Sequence, residues 1–387
     1  DRSFPVILVT GPRQVGKTRL LRELAGSERN YVSLDDPQER ILAQENPRMF
    51  LELHPTPLII DEVQYAPELF PFIKMRVDEQ DEDGVYWLTG SQVFSLMKGV
   101  RESLAGRVMI VRLQGISQQE EAAGQTHPFP PTQETLIHTP SLTLPSTLTD
   151  RMFRGSFPRL LTHPELSPTT FYASYVQTWL ERDVAQITNI LDTSQFLQFV
   201  RLLATRTAQE LNMAGLAKEI QVDNKTISRW LDVLETSGLV YRLPAWSRNI
   251  GKRLIKRPKL YFLDSGLASY LCGMHSAESL AASPLFGAIY ETWVVTELLK
   301  SYWHLGHVPT IFYYRDVNQK EIDLIIERDG LIHPFEIKSS TAPQRARKNF
   351  SVLDPIQEHL GLGGVIYRGT RLHPFDERDW LIPDDRL

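Results

Sequence analysis

A single cysteine, Cys272, stands among 387 residues. That excludes an internal disulfide and matches a reducing compartment, with the cytoplasm as the expectation. Long apolar runs are missing as well: none approaches the roughly 20 residues that cross a bilayer. The first apolar segment, Phe4–Val9, is too short for a secretory leader and runs straight into a glycine-bearing loop. The chain opens on Asp1 rather than Met, so the natural start is expected upstream. A surplus of charge is also absent, because 42 Lys and Arg against 47 Asp and Glu leave a net charge of −5. No global field then draws the protein to nucleic acid or membrane, and any such binding must rest on a local patch. What is present, 42% apolar and 23% charged residues, is the composition of a globular protein. Its length predicts about two to four domains.

The most informative stretch is Gly11-Pro12-Arg13-Gln14-Val15-Gly16-Lys17-Thr18. The apolar Phe4–Val9 reads as a strand before it, and Arg19–Ala25 as a helix after it. Strand, glycine-bearing loop, Lys-Thr and helix together hold a nucleoside triphosphate. The glycines let backbone N–H groups turn toward the phosphates, and the helix N-terminus adds favourable dipole charge. Lys17 would reach the outer phosphates and Thr18 would bind Mg2+. Downstream, Pro57-Leu58-Ile59-Ile60 leads into Asp61-Glu62, a Walker B arrangement. Asp61 would hold magnesium through water, and Glu62 would orient or deprotonate the attacking water. A helix over Pro67–Glu79 precedes the strand Val85–Leu88, which ends in Thr89-Gly90-Ser91-Gln92. Ser91 is the candidate for contact with the γ-phosphate or the water, with Thr89 and Gln92 next. Arg107 stands just before the strand Val108–Leu113. It is either an arginine finger reaching a neighbour's γ-phosphate in a homo-oligomer, or a helix-end arginine interacting with the dipole.

The second part of the chain opens on a stretch rich in Thr, Pro and Ser, 126–150, which reads as a linker. Helices are expected over Thr169–Ile190 and Phe196–Thr205. Ala208–Ile220, the turn Gln221-Val222-Asp223 and Asn224–Thr236 read as helix, turn, helix, with Gly238 as the stop. Leu239–Leu243 and Lys259–Leu263 read as the strands of a β-wing. In DNA-binding versions of this winged helix-turn-helix the second helix enters the major groove. Asn224, Lys225, Ser228 and Arg229 would face it, and the wing offers Arg242, Arg248, Lys252, Arg253, Lys256, Arg257 and Lys259. The alternative is a solvated wing that serves protein contacts.

Toward the C-terminus, the helix Leu285–Ser301 and the strands Ile311–Arg315, Glu321–Glu327 and Ile332–Lys338 are followed by a helix from Gln344 and a strand at Gly364–Tyr367. That is the element order of the PD-(D/E)xK nuclease core. Asp323 and Glu336 fall on adjacent strands, and Lys338 shares a face with Glu336 at the strand period of two. Two carboxylates there would hold Mg2+ while the lysine assists the nucleophile or the charge build-up. Glu291 would complete the metal shell from the helix.

GPRQVGKT, IIDEVQ, LTGSQ and ESLAGR, in this order, resemble the prokaryotic AAA-type P-loop ATPases. The C-terminal third is similar to the restriction-endonuclease-like domain of the same group. The resemblance implies an α/β fold with an AAA-type parallel-sheet domain over 1–125. It further implies a helical lid over 151–206, a winged helix over 207–275 and a nuclease-like α/β domain over 276–387. The expected function is an ATP-hydrolysing ATPase acting on DNA. The alternative is a nucleotide-controlled switch or adaptor whose C-terminal domains bind protein and cleave nothing.

Overall fold

The computed structural model describes residues 3–80, 82–90, 99–100, 102–124, 126–130, 132–138, 140–180, 193–253 and 256–387, without the side chains of 250 and 252. They form two compact units. One comprises Asp1–Gln114, Thr236–Gly238 and Trp303–His307, and the other comprises the rest.

Five short strands build the sheet of the first unit: β1 (Val6–Thr10), β2 (Asn30–Ser33), β3 (Leu58–Asp61), β4 (Tyr86–Gly90) and β5 (Val108–Arg112). Their order is β2-β3-β4-β1-β5, and every pairing is parallel. The inner strands β1, β3 and β4 are buried along their whole length because both faces are covered. Val6, Leu8, Ile60 and Leu88 point into one core with Leu69, Phe70 and Ile73 of the helix Leu69–Gln80. Ile7, Val9, Ile59 and Trp87 point into the other with Leu21 of the helix Lys17–Ala25. Parallel strands place all their C-terminal ends at one edge, so the ends of β1, β3 and β4 come together there.

In the second unit, β6 (Gln209–Glu210), β7 (Val240–Leu243) and β8 (Lys259–Phe262) form a three-stranded sheet in the order β6-β8-β7, antiparallel throughout. The helix expected over Ala208–Ile220 is shorter. Ala208 takes a left-handed φ of 61°, β6 follows, and the helix runs only over Met213–Ile220, capped by the Asn212 side chain. Gln221, also left-handed, ends it, and the next helix is Asn224–Thr236. A mixed six-stranded sheet contains β9 (Ile311–Arg315), β10 (Glu321–Arg328), β11 (Leu331–Lys338), β12 (Gly363–Tyr367), β13 (His373–Pro374) and β14 (Asp379–Pro383). Its order is β13-β14-β12-β11-β10-β9. The long helix Phe286–Trp303 precedes it in the chain.

Two further expectations are corrected. The helix expected from Gln344 is a run of 3-10 turns over Phe350–His359, broken at Ile356 just after Pro355, as a proline that withdraws its N–H requires. The Pro/Thr-rich segment is not an unburied linker. Phe129 and Leu136 are buried, Phe129 packs against Phe335 with ring centroids 5.0 Å apart, and Gln133–His138 is helical. Its few apolar residues find a surface supplied by distant parts of the chain. Among the described residues no helix is long and apolar enough to cross a membrane.

Candidate functional site

The loop after β1 carries its conformation in its glycines. Gly11 has φ +150°, and a Cβ there would lie 2.0 Å from the Leu113 carbonyl oxygen. Gly16 adopts a left-handed φ of 93° at the N-cap of the helix Lys17–Ala25, a geometry that glycine enters at little cost. Lys17 is buried, and its ammonium donates to the carbonyls of Gly11 at 3.0 Å and Pro12 at 2.8 Å. The helix thus begins with its cation at the mouth of the loop.

Asp61 ends β3 and gathers three hydroxyls. Thr18 Oγ1 donates to both carboxylate oxygens, at 2.9 and 3.0 Å. The Tyr31 hydroxyl donates to Oδ2 at 2.9 Å, and Thr89 Oγ1 donates to Oδ1. Burial and the adjacent Asp61 push the Tyr31 phenol up to about 12, so it remains a donor. Thr89, fully buried at the end of β4, also accepts from the Glu62 N–H at 3.1 Å. Glu62 has a left-handed φ of 58°, and Gln64 Nε2 donates to its carboxylate. The Thr18 hydroxyl beside a carboxylate is the kind of oxygen pair that magnesium takes. The structure therefore brings Lys17, Thr18, Asp61, Glu62 and Thr89 to one sheet edge. Ser91 and Gln92 lie outside the described residues. Tyr31 was not singled out in the sequence, and nothing in its local spacing marks it. Arg107 is engaged within the chain, donating to Asp78 through Nε and, at 3.0 Å, through Nη2.

The basic residues of the second unit divide into two groups. Lys225, Arg229, Arg248, Lys256 and Arg257 are exposed. A cavity of about 720 Å³ is lined by Arg248, Lys256 and Arg257 together with Trp246 and Tyr314. Arg253 instead donates to both oxygens of Glu327, at 3.0 and 2.7 Å, and stacks over Phe312. Arg242 is tied to Glu235 and Asp232, and Lys259 is buried. The side chain of Lys252 lies outside the described residues.

On β10 and β11 lies the carboxylate cluster. The β9–β10 register shifts between Ile322 and Ile325, on either side of Asp323. One step beyond the Leu324–Phe335 pair, Asp323 faces Glu336. Asp323 Oδ2 accepts from the Ile337 N–H at 2.8 Å and from Lys338 Nζ at 3.0 Å, and Lys338 also donates to Glu336. Burial alone would raise Asp323, but Lys338 and Lys259 outweigh it and hold this carboxyl below its ordinary range. Burial, with Asp323 close by, pushes Glu336 up to about 8. Glu336 Oε1 is buried and finds no hydrogen-bond partner among the described residues, so it is a ready acceptor for a proton or a cation.

Glu291 turns elsewhere. Its Oε1 accepts from Lys259 Nζ at 3.1 Å and from the Tyr261 hydroxyl at 2.7 Å. Burial raises Glu291, partly offset by Lys259. Among the described residues no three or more His, Cys, Asp or Glu are disposed to hold a metal ion. The shell expected from Glu291, Asp323 and Glu336 is therefore not assembled as one set, because the Lys259 ammonium stands between Glu291 and Asp323. Lys259, Tyr261 and Glu321 are the members of this cluster that the sequence did not assign to it.

Comparison with known proteins bears on the domain that carries the first of these sites. An AAA domain model matches residues 3–122, and two models of domains of unknown function, DUF8612 and DUF4143, match 146–278 and 286–386. The Thermotoga maritima RuvB Holliday junction branch migration motor superposes with a TM-score of 0.28 at 16% identity, over 62% of this chain and 83% of that one; a score so low bears no weight. Uncharacterized proteins of Mycobacterium tuberculosis and Mycobacterium bovis are each 30% identical to the chain, over 99% of its length and 81% of theirs. At that identity across that span the chain belongs to the family of these mycobacterial proteins, and its N-terminal third is an AAA-type P-loop ATPase domain.

Proposed function

We propose that the protein binds and hydrolyses ATP with Mg2+ and acts on DNA through a winged helix and a nuclease-like domain. The observation that carries the ATP half is the convergence of Lys17, Thr18, Asp61, Glu62 and Thr89 at the C-terminal edge of β1, β3 and β4. Gly11–Thr18 would hold the phosphates, and Thr18 with Asp61 would hold the metal. Magnesium there would supply charge neutralisation of the phosphates. Glu62, fixed by Gln64 and by the Thr89 hydroxyl on its own N–H, would orient or deprotonate the attacking water. Arg107 would serve a neighbour's nucleotide only by leaving Asp78. Mixing Arg107→Ala with Lys17→Ala protein tests this, since only a finger in a homo-oligomer restores turnover.

The DNA half rests on a short helix, a left-handed turn, a second helix and an antiparallel hairpin, with Lys225 and Arg229 exposed on the second helix and Arg248, Lys256 and Arg257 along the hairpin loop. Asp323 and Glu336, with the unpartnered Glu336 oxygen, would hold one hard cation, and Lys338 would act beside it. A nucleotide-controlled switch that cleaves nothing is the second reading. It is favoured by the pairing of Lys338 and Lys259 with the very carboxylates a metal would need. Cutting and retention of several DNA structures by the full chain, with and without ATP and Mg2+, separate the two. Cutting abolished by Asp323→Ala supports the nuclease. Salt-sensitive retention without cutting leaves DNA binding alone, and no retention at low salt sinks the DNA half.

A further inference from the structure

Lys259 is the residue whose setting departs furthest from its sequence context. It lies in a basic stretch, yet its side chain is only 4% exposed. The ammonium is 3.1 Å from Glu291, 2.5 Å from Glu321 and 4.0 Å from Asp323. Its strand, β8, delivers a second donor to the same place, since the Tyr261 hydroxyl meets the Glu291 oxygen that Lys259 also touches. Residues 259 and 261 share a face at the strand period of two, so one strand of the three-stranded sheet brings both groups to the long helix and to β10.

We propose that the Lys259 ammonium is a built-in cation of this cluster, occupying the Glu291–Glu321 side and keeping divalent metal off those two carboxylates. An ammonium has three N–H donors and no acceptor, and three carboxylates around it supply the charge that a buried lysine needs in order to stay ionised. Mg2+ or Mn2+ takes such oxygens directly at short range. The ammonium must first leave, because it stands among these carboxylates and its N–H and the Tyr261 O–H both occupy Glu291 Oε1. A metal in this domain is then confined to Asp323 and Glu336, where the orphaned Glu336 oxygen lies. Removing the ammonium while keeping the stem leaves Glu291 without its counter-ion and Glu321 with Arg315 alone, 3.6 Å away, and opens a position for a second divalent ion.

The test counts Mn2+ bound to the full chain by electron paramagnetic resonance. It omits nucleotide and carries Asp61→Asn throughout, to silence the N-terminal site. The expected result is that Lys259→Met binds one Mn2+ more than its parent and loses it again when Glu291→Gln is added. Lys259→Arg, which keeps the charge, should bind no more than the parent, and Glu291→Gln alone should leave the parent's count unchanged. Equal counts in Lys259→Met and the parent, or parental Mn2+ lost on Glu291→Gln, overturn the proposal. Should Lys259→Met fail to melt cooperatively, the Glu291→Gln arm decides: an unchanged count supports the built-in cation and a reduced one overturns it. Parental Mn2+ lost with Asp323→Asn speaks to the nuclease-like reading and is independent of the Lys259 arms.

Discussion

Thr89 does at residue scale what neither acid of the Walker B pair does for itself. Its hydroxyl donates to Asp61 and accepts from the Glu62 N–H, which couples the carboxylate proposed to hold the metal to the backbone of the acid proposed to orient the water. Thr89→Val keeps the shape and removes both bonds. Leaving buried groups unpaired costs about 1–3 kcal/mol, so the urea midpoint should fall correspondingly, and ATP turnover should fall more than ATP affinity. Unchanged turnover would show that the bridge is not needed. Lys17→Ala should lose nucleotide binding. Glu62→Gln should bind ATP but hydrolyse it about 10²–10⁴-fold more slowly, and parental turnover in both variants would refute the site. The placement of Gly11, Gly16, Lys17, Asp61 and Glu62 on one loop and one strand end was legible in the sequence because it follows from local spacing. Tyr31, by contrast, reaches Asp61 from the neighbouring strand, and Lys259 is buried by a helix and a sheet that lie later in the chain. Neither contact has a local signature.

Among the elements, those built on short apolar runs were the legible ones, as β1 and β3 illustrate. The failures sit where a local rule was overridden. Ala208 adopts a left-handed turn inside an apparently helical stretch, and Pro355 breaks the segment after Gln344 into 3-10 turns. Phe129 and Leu136 make a polar, proline-rich stretch part of a core. The docking of the C-terminal turn offers a pH test of such packing. Asp384 is buried there and accepts from the Tyr290 hydroxyl of the long helix at 3.1 Å. Burial raises its pKa from 3.8 to about 7, against the lowering effect of the Tyr290 hydrogen bond. The folded chain thus holds a proton that the unfolded chain releases. This contribution to stability is fully present below about pH 4 and is lost as pH rises through about 7. Asp384→Asn should therefore gain on the parent in melting temperature across that window. Parallel melting profiles from pH 4 to 8 would rule the linkage out.

For the molecule as a whole, charge decides less by its sum than by its pairing. A net charge of −5 gives no reason to expect DNA binding, so the case rests on which cations are left facing solvent. Lys225, Arg229, Arg248, Lys256 and Arg257 are exposed, while Arg253 is spent on Glu327 and Arg242 on Glu235 and Asp232. If all five exposed cations meet phosphates of a duplex, log K should fall with log salt at a slope of about −4 to −5. Each of Arg248→Ala and Arg257→Ala should then make the slope shallower by about one while leaving the melting temperature near the parent's. Arg253→Ala should do the reverse, since it strips Glu327 of a two-pronged partner: stability falls and the salt slope stays. Fluorescence anisotropy on labelled duplex across a salt series measures the slopes, and calorimetry measures the melts. A slope that moves with Arg253 but not with Arg248 or Arg257 would place the DNA-binding face elsewhere on the molecule.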